Sequence, residues 1–189
     1  NPGKSMFIRV LIIIGIITTS LFMGTVHNTN AEQISSREYM IKAAFLYNFA
    51  KFIEWPPKTF EDSKSPVRLC VLGKNPFGIA LESIEGKTIH GRKLIIEQLN
   101  STKEIKICHM LFISESEKKQ LDYILNNIKD LNVLTIGDTE NFARLGVIIN
   151  LTMAKKKIRF KINLDAANRA GLKISSKLLK LANIIQEGD

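Results

Sequence analysis

Histidine, cysteine and tryptophan are scarce in this chain: three, two and one among 189 residues. That scarcity bounds the chemistry. A structural zinc site needs four Cys/His ligands and a catalytic one three with suitable spacing, and the chain supplies only Cys70, Cys108 and His27, His90 and His109. Cys108 and His109 are neighbours, so on a strand their side chains would leave opposite faces. No metal site and no cofactor are expected. The nucleophile elbow Gly-x-Ser-x-Gly is absent. The turn Gly73-Lys74-Asn75-Pro76-Phe77-Gly78 has neither the Gly-Lys-Ser/Thr ending of a phosphate loop nor the dinucleotide glycine spacing. Glu54, Glu115 and Glu117 fall near expected helix ends, where carboxylates are solvated or offset the dipole. Nothing in this inventory demands an enzyme.

Long apolar runs are also missing, with one exception. Val10 to Met23 is almost unbroken, follows Arg9, and is too short for a comfortable membrane span. With the small residues Thr29-Asn30-Ala31 after it, the segment reads as a secretory leader cut near Ala31, and Asn1 to Ser5, ahead of Met6, as lying outside the natural leader. The expected organisation is a leader over residues 1–31 and one domain over residues 32–189, a length that supports a single sizeable core. Export is expected from that leader. In an oxidising compartment an even pair of cysteines suits a disulfide between Cys70 and Cys108.

Charge is unevenly placed. The net formal charge is +9, and from Ala154 onward there are 9 basic and 3 acidic residues. Such a tail is a solvated face or a match for an acidic partner or lipid surface. Nucleic acid is not expected, because the tail has one aromatic, Phe160, rather than a series on which bases could stack.

Apolar periodicity supplies the fold class. Glu38 to Ile53 is expected to be helical, with Ile41, Phe45, Phe49 and Phe52 on one core stripe, Ser35 or Ser36 as the cap, and Pro56-Pro57 as the stop. Met40 and Tyr47 project to the far side. Strands are expected at Arg68–Gly73, Lys93–Gln98, Cys108–Ile113, Val133–Ile136, Val147–Leu151 and Lys157–Ile162, the last two as a hairpin. Helices are expected at Ser114–Ile128, with a Ser114/Glu117 capping box, from Asp138 or Thr139 through Leu145, at Ala166–Ala170 behind Asp165, and from Ser175 through Ile185. Alternating strands and helices imply an α/β single domain: a mostly parallel central sheet flanked by helices on both faces, with a C-terminal antiparallel hairpin.

The ordered set Ala43-Ala44-Phe45-Leu46-Tyr47-Asn48-Phe49, Phe52-Ile53-Glu54-Trp55-Pro56, Leu69-Cys70-Val71-Leu72-Gly73, Cys108-His109, Phe112-Ile113-Ser114-Glu115, Leu134-Thr135-Ile136-Gly137-Asp138, Ile158-Arg159-Phe160 and Leu172-Lys173-Ile174-Ser175 resembles the YfiR family from about Tyr39 to Ala182. One departure is Gly146-Val147, where the family tends to carry a glycine pair. The resemblance implies an exported, non-enzymatic α/β protein that restrains a membrane-bound diguanylate cyclase through the cyclase's periplasmic region. It thereby implies lower cyclic-di-GMP signalling and biofilm formation, and an outer-membrane lipoprotein that sequesters the inhibitor. A second copy of the chain is a further candidate partner.

Two surfaces are candidates for function. A partner-binding surface would combine Met40, Tyr47 and Trp55 with Arg159, Lys161, Lys173 and Lys177; for Trp55 the alternative is a core plug whose N–H meets a carbonyl. A small-molecule receptor would instead use the carboxyl ends of the strands, at Gly73, Asn75 and Phe77 and at Gly137 and Asp138. An exported enzyme of unknown reaction is the third, weaker reading.

Overall fold

The computed structural model describes residues 29–186. The expected leader lies outside the described residues apart from Thr29–Ala31. Residues up to Ile34 and those from Ser35 onward separate into two units, and the second carries the fold. It is built around the strand β2 (Val67–Leu72), whose successive side chains serve two different cores. Leu69 and Val71 join one apolar cluster and Cys70 and Leu72 the other, all buried. A strand apolar on both faces has to be covered on both, which is the condition for a parallel α/β sheet.

Ten strands are assigned among the described residues. After β1 (Ile53–Glu54) and β2 come β3 (Thr88–Ile89), β4 (Arg92–Leu99), β5 (Met110–Ile113), β6 (Leu134–Gly137), β7 (Ile149–Ala154), β8 (Lys157–Asn163), β9 (Lys173–Ile174) and β10 (Asn183–Ile185). Eight of them form one sheet in the order β10-β8-β7-β6-β5-β2-β4-β3, while β1 and β9 pair antiparallel by themselves. Within the large sheet β4, β2, β5, β6 and β7 run parallel, and β7–β8 and β3–β4 are antiparallel. The expected α/β class and the late hairpin are therefore both present.

Helix α1 (Thr29–Lys51) covers one face and α2 (Leu121–Ile128) the other; α3 (Leu164–Arg169) and α4 (Ser176–Leu179) are short. From α1, Ala43, Leu46, Phe49 and Ala50 are buried with Leu69, Phe112, Ile136 and Phe160. Phe49 lies edge-on to Phe160 at 5.0 Å between ring centroids. From α2, Leu121, Ile124 and Ile128 are buried with Leu111, Ile113, Phe142 and the two cysteines.

Several local expectations are corrected. The helix begins before Ser35 and Ser36, so neither caps it. Ile41 is 45 % exposed rather than core, and Phe45 and Phe52 are half-buried: the stripe is centred one residue later, on Ala43, Leu46, Phe49 and Ala50. Ser114 makes no capping bond, because its hydroxyl donates to the Lys74 carbonyl at 2.6 Å; the expected long helix is a 3-10 segment, Glu115–Gln120, followed by α2. The stretch from Thr139 to Leu145 is turns, not helix. Its backbone groups are bonded by two buried asparagines: Asn150 Nδ2 donates to the carbonyls of Gly137 and Thr139, and Asn163 Nδ2 to that of Ala143. Asn163, not Asp165, caps α3 by accepting the Ala166 N–H at 2.9 Å. The last helix stops at Leu179, and β-branched Ile184 and Ile185 instead extend the sheet beside Lys161–Asn163 of β8.

Candidate functional site

Two constellations stand out. The first lies at the carboxyl ends of the parallel strands. The chain leaves β2 for β4 on one side and returns to β5 on the other, so the order of strands reverses there, the place where open α/β sheets open a crevice. Gly73 follows β2 with φ +86°, and a Cβ there would run into the Ser116 and Glu117 side chains, so the turn requires glycine. The next N–H, of Lys74, donates to Ser116 Oγ at 2.9 Å. Asn75 Oδ1 accepts the Phe77 N–H at 2.9 Å, and Phe77 itself is buried between Tyr39 and Phe112. Across the crevice Gly137 ends β6, packed so closely that a Cβ would meet Phe142 at 2.5 Å. Asp138 follows it.

Asp138 is the centre of a charged cluster. Its Oδ2 accepts from the Tyr39 hydroxyl at 2.9 Å and from Lys42 Nζ at 2.6 Å, and Lys42 is also 2.6 Å from Glu38 Oε1. Lys42 is buried, and its ammonium has two carboxylates for compensation. Burial first, and the Asp138 charge second, raise the Tyr39 phenol well above its ordinary range, so it stays a hydroxyl donor. Tyr39, Lys42 and Asp138, with Ser35, Lys74, Ser114 and Thr139, line a cleft of about 830 Å³. Gly73 and Asp138 are expected at one end of the sheet from the strand ends alone, whereas Tyr39 and Lys42 are not among the expected site residues; their one signal in the sequence is the Glu38/Lys42 spacing of four on a helix.

The second constellation is the Trp55 corner. Pro56-Pro57 turn the chain away from α1, and the β1–β9 pairing lays Glu54 opposite Lys173. Trp55 is only 8 % exposed, and its Nε1–H donates to the His109 carbonyl at 3.2 Å. Phe60 stacks on the His109 ring at 4.5 Å and lies 3.9 Å from the Arg92 guanidinium. A cavity of about 630 Å³ opens here, with Trp55, Pro57, Phe60, His90, Arg92 and Lys173 in its wall. Behind it Cys70 and Cys108 form a disulfide, with Cα atoms 5.9 Å apart, tying β2 to the approach of β5.

The other residues proposed for a partner lie apart. Tyr47 is half-buried: its hydroxyl donates to the Thr88 carbonyl at 3.0 Å, and the Lys51 and Lys87 ammoniums sit over its ring at 4.7 and 5.3 Å. Met40 is 43 % exposed on α1. Arg159 and Lys161 are on β8 near the sheet edge, and Lys177 is exposed on α4. Of the seven, Trp55 and Lys173 share one cavity.

His109 makes a measurable prediction. Its Nδ1 accepts the Arg68 N–H at 3.0 Å, and burial pulls its pKa down to about 4 despite a bond to the Thr59 backbone. The fold therefore holds it neutral, whereas the unfolded chain protonates below about 6.5. Its contribution to stability is complete above pH 6.5 and is lost as the pH falls toward 4, up to about 3 kcal/mol at 1.36 kcal/mol per unit. In urea unfolding at pH 7, 5.5 and 4.5, His109→Gln should lose less stability across the series than the parent; equal losses would rule the histidine out.

A family model described as YfiR/HmsC-like matches residues 39–183. The chain belongs to the YfiR/HmsC-like family. The match runs from Tyr39 on α1 to the first residue of β10, so it takes in the Trp55 corner and the Tyr39, Lys42 and Asp138 core of the charged cluster, though not Glu38 or Ser35. This is a family of periplasmic regulators associated with diguanylate cyclase systems. Among solved structures, a conserved domain protein from Vibrio cholerae O1 biovar eltor superposes with a TM-score of 0.54 at 10% identity, covering 79% of this chain and 60% of that one. The ABC domain in complex with L-Trp from Streptococcus pneumonia superposes with a TM-score of 0.52 at 11% identity, covering 76% and 60%. At such identities the likeness concerns the fold alone, and this chain spans about 60% of the length of each. Among the described residues no group of three or more His, Cys, Asp or Glu could hold a metal, and no helix is long and apolar enough to cross a membrane.

Proposed function

We propose that this member of the YfiR/HmsC-like family is a periplasmic, non-enzymatic inhibitor of a membrane-bound diguanylate cyclase. It acts by contact with the cyclase's periplasmic region, and a sequestering outer-membrane lipoprotein relieves it. Residues 1–31 serve as the cleaved leader and residues 32–189 as the working domain. The observation that carries the reading is the extent of the family match, which covers the folded body from Tyr39 to Asn183 rather than one grafted motif. Trp55 itself is a core plug, its N–H on the His109 carbonyl; the candidate contact is the cavity beside it, where half-buried Phe60 offers an aromatic anchor and Arg92 and Lys173 offer charge for orientation. Deleting the gene should raise cellular cyclic-di-GMP and surface attachment, and both changes should vanish when the cyclase is deleted as well. An unchanged nucleotide level in cells that express the cyclase would defeat the proposal.

The cleft around Asp138 favours a second reading, a small-molecule sensor. Tyr39, Lys42 and Asp138 converge at the reversal of strand order, and a distant relative in fold is described as bound to L-Trp. A ligand of this site raises the melting temperature of the purified protein without any partner. Amino acids are the first probes to try, and an Asp138→Asn variant should abolish the shift.

A further inference from the structure

The β7–β8 hairpin ends in a two-residue turn, Lys155-Lys156, with Ala154 paired to Lys157. Both turn residues are left-handed, at φ +50° and +62°. That geometry suits asparagine and glycine, and side chains such as lysine resist it. Strain of this kind at an exposed tip points to a use for the side chains it displays. From Asn141 to Leu164 there is no acidic residue, while Arg144, Lys155, Lys156, Lys157, Arg159 and Lys161 are basic. The charge that this hairpin carries is therefore of one sign.

The hairpin also has an apolar side. Leu151 and Phe160 are cross-strand partners buried against α1. One pair further out on the same face, Met153 is 49 % exposed beside half-buried Ile158. On the helix, half-buried Phe45 packs against Phe160 at 6.0 Å, and Ile41 one turn earlier is exposed. Apolar side chains beside a run of lysines form the pattern of a peripheral membrane contact: the former enter the headgroup boundary while lysine stems lie along it. The choice of cation discriminates between partners. A defined carboxylate on a protein is best met by the guanidinium fork, whereas three flexible ammoniums suit a diffuse anionic surface.

We propose that the β7–β8 tip docks the protein onto an anionic phospholipid bilayer, with Met153 at the interface and Lys155, Lys156 and Lys157 against the headgroup phosphates. This does not depend on which cyclase, if any, the protein restrains. Each lysine near such a surface contributes about a fivefold gain in partitioning, so the three together contribute on the order of a hundredfold.

The test is co-sedimentation of the protein, recovered from the cell envelope after export, with vesicles of phosphatidylglycerol and phosphatidylethanolamine or of phosphatidylcholine alone. The parent should bind the anionic vesicles, ignore the neutral ones, and let go as salt rises from about 0.05 to about 0.5 M. The triple variant Lys155→Asn, Lys156→Gly, Lys157→Gln should bind about a hundredfold more weakly yet melt no earlier than the parent, because its turn residues now suit the geometry. Met153→Ser should weaken binding with the salt dependence intact. Equal binding by the triple variant, or equal binding to neutral vesicles, overturns the proposal. So does a parent that ignores all vesicles while the cyclase's periplasmic region recognises the lysines, which would make the tip a protein contact.

Discussion

Phe49→Ala should cost about 3 to 5 kcal/mol and leave little folded protein in the cell, the loss expected for emptying a fully packed aromatic site. Phe49 is 1 % exposed and contacts both Phe45 and Phe160, so no neighbouring side chain is free to fill the gap. Tyr47, two residues earlier, should behave differently but not neutrally. A tyrosine wholly outside the core would change folding by at most about half a kcal/mol, yet this one is half-buried and bonded to the Thr88 carbonyl. Tyr47→Ala should therefore cost about 1 to 2 kcal/mol, and Tyr47→Phe, which removes only an exposed hydrogen bond, about 1 kcal/mol or less. Urea melts of the three variants check the order. If Tyr47→Phe keeps its stability and loses inhibition, the hydroxyl also serves the partner; if it keeps both, the contact lies elsewhere.

Removing the Cys70–Cys108 bridge is the second large effect. The cysteines are 38 residues apart in sequence, and releasing a loop of that size from the unfolded chain is worth roughly 4 kcal/mol in the chain-entropy model. Both sulfurs are buried against α2's side of the sheet, so Cys70→Ala with Cys108→Ala also trims packing. The double variant should lose at least about 4 kcal/mol, and the parent should show no free thiol when denatured without reductant. Full labelling of two cysteines in that assay would remove the basis of the comparison.

The sheet was legible because its strands are short apolar runs closed by turn residues, as at Leu69 to Gly73, whereas the first helix stops at Lys51, short of the expected Ile53, which joins a strand before Pro56-Pro57 is reached. The failures share a cause. Ser114 and Asp138 are good caps on local grounds, but Ser114's hydroxyl is bonded to Lys74 and Asp138's carboxylate to Tyr39 and Lys42, residues far away in sequence. Asn150 and Asn163 look like ordinary strand and turn residues until the sheet closes and buries them over the turn they hold. At the candidate site, periodicity placed the core face of α1 about one residue too early, with Phe49 alone of the four expected residues fully buried. It could not reveal that Lys42, on the rim of that face, would be buried with a carboxylate 96 residues away.

The β1–β9 clasp sets an order of events for a chain that emerges amino terminus first. Ile53 and Glu54 pair with Ile174 and Lys173, and the Ser175 N–H donates to the Phe52 carbonyl at 2.9 Å. Phe49 likewise waits for Phe160. The first helix and the Trp55 corner thus cannot reach their final packing until some 120 further residues have appeared, a span read from the register of Ile53 with Ile174. Contacts of such long reach form slowly. The final packing thus locks only when the last quarter of the chain has been made.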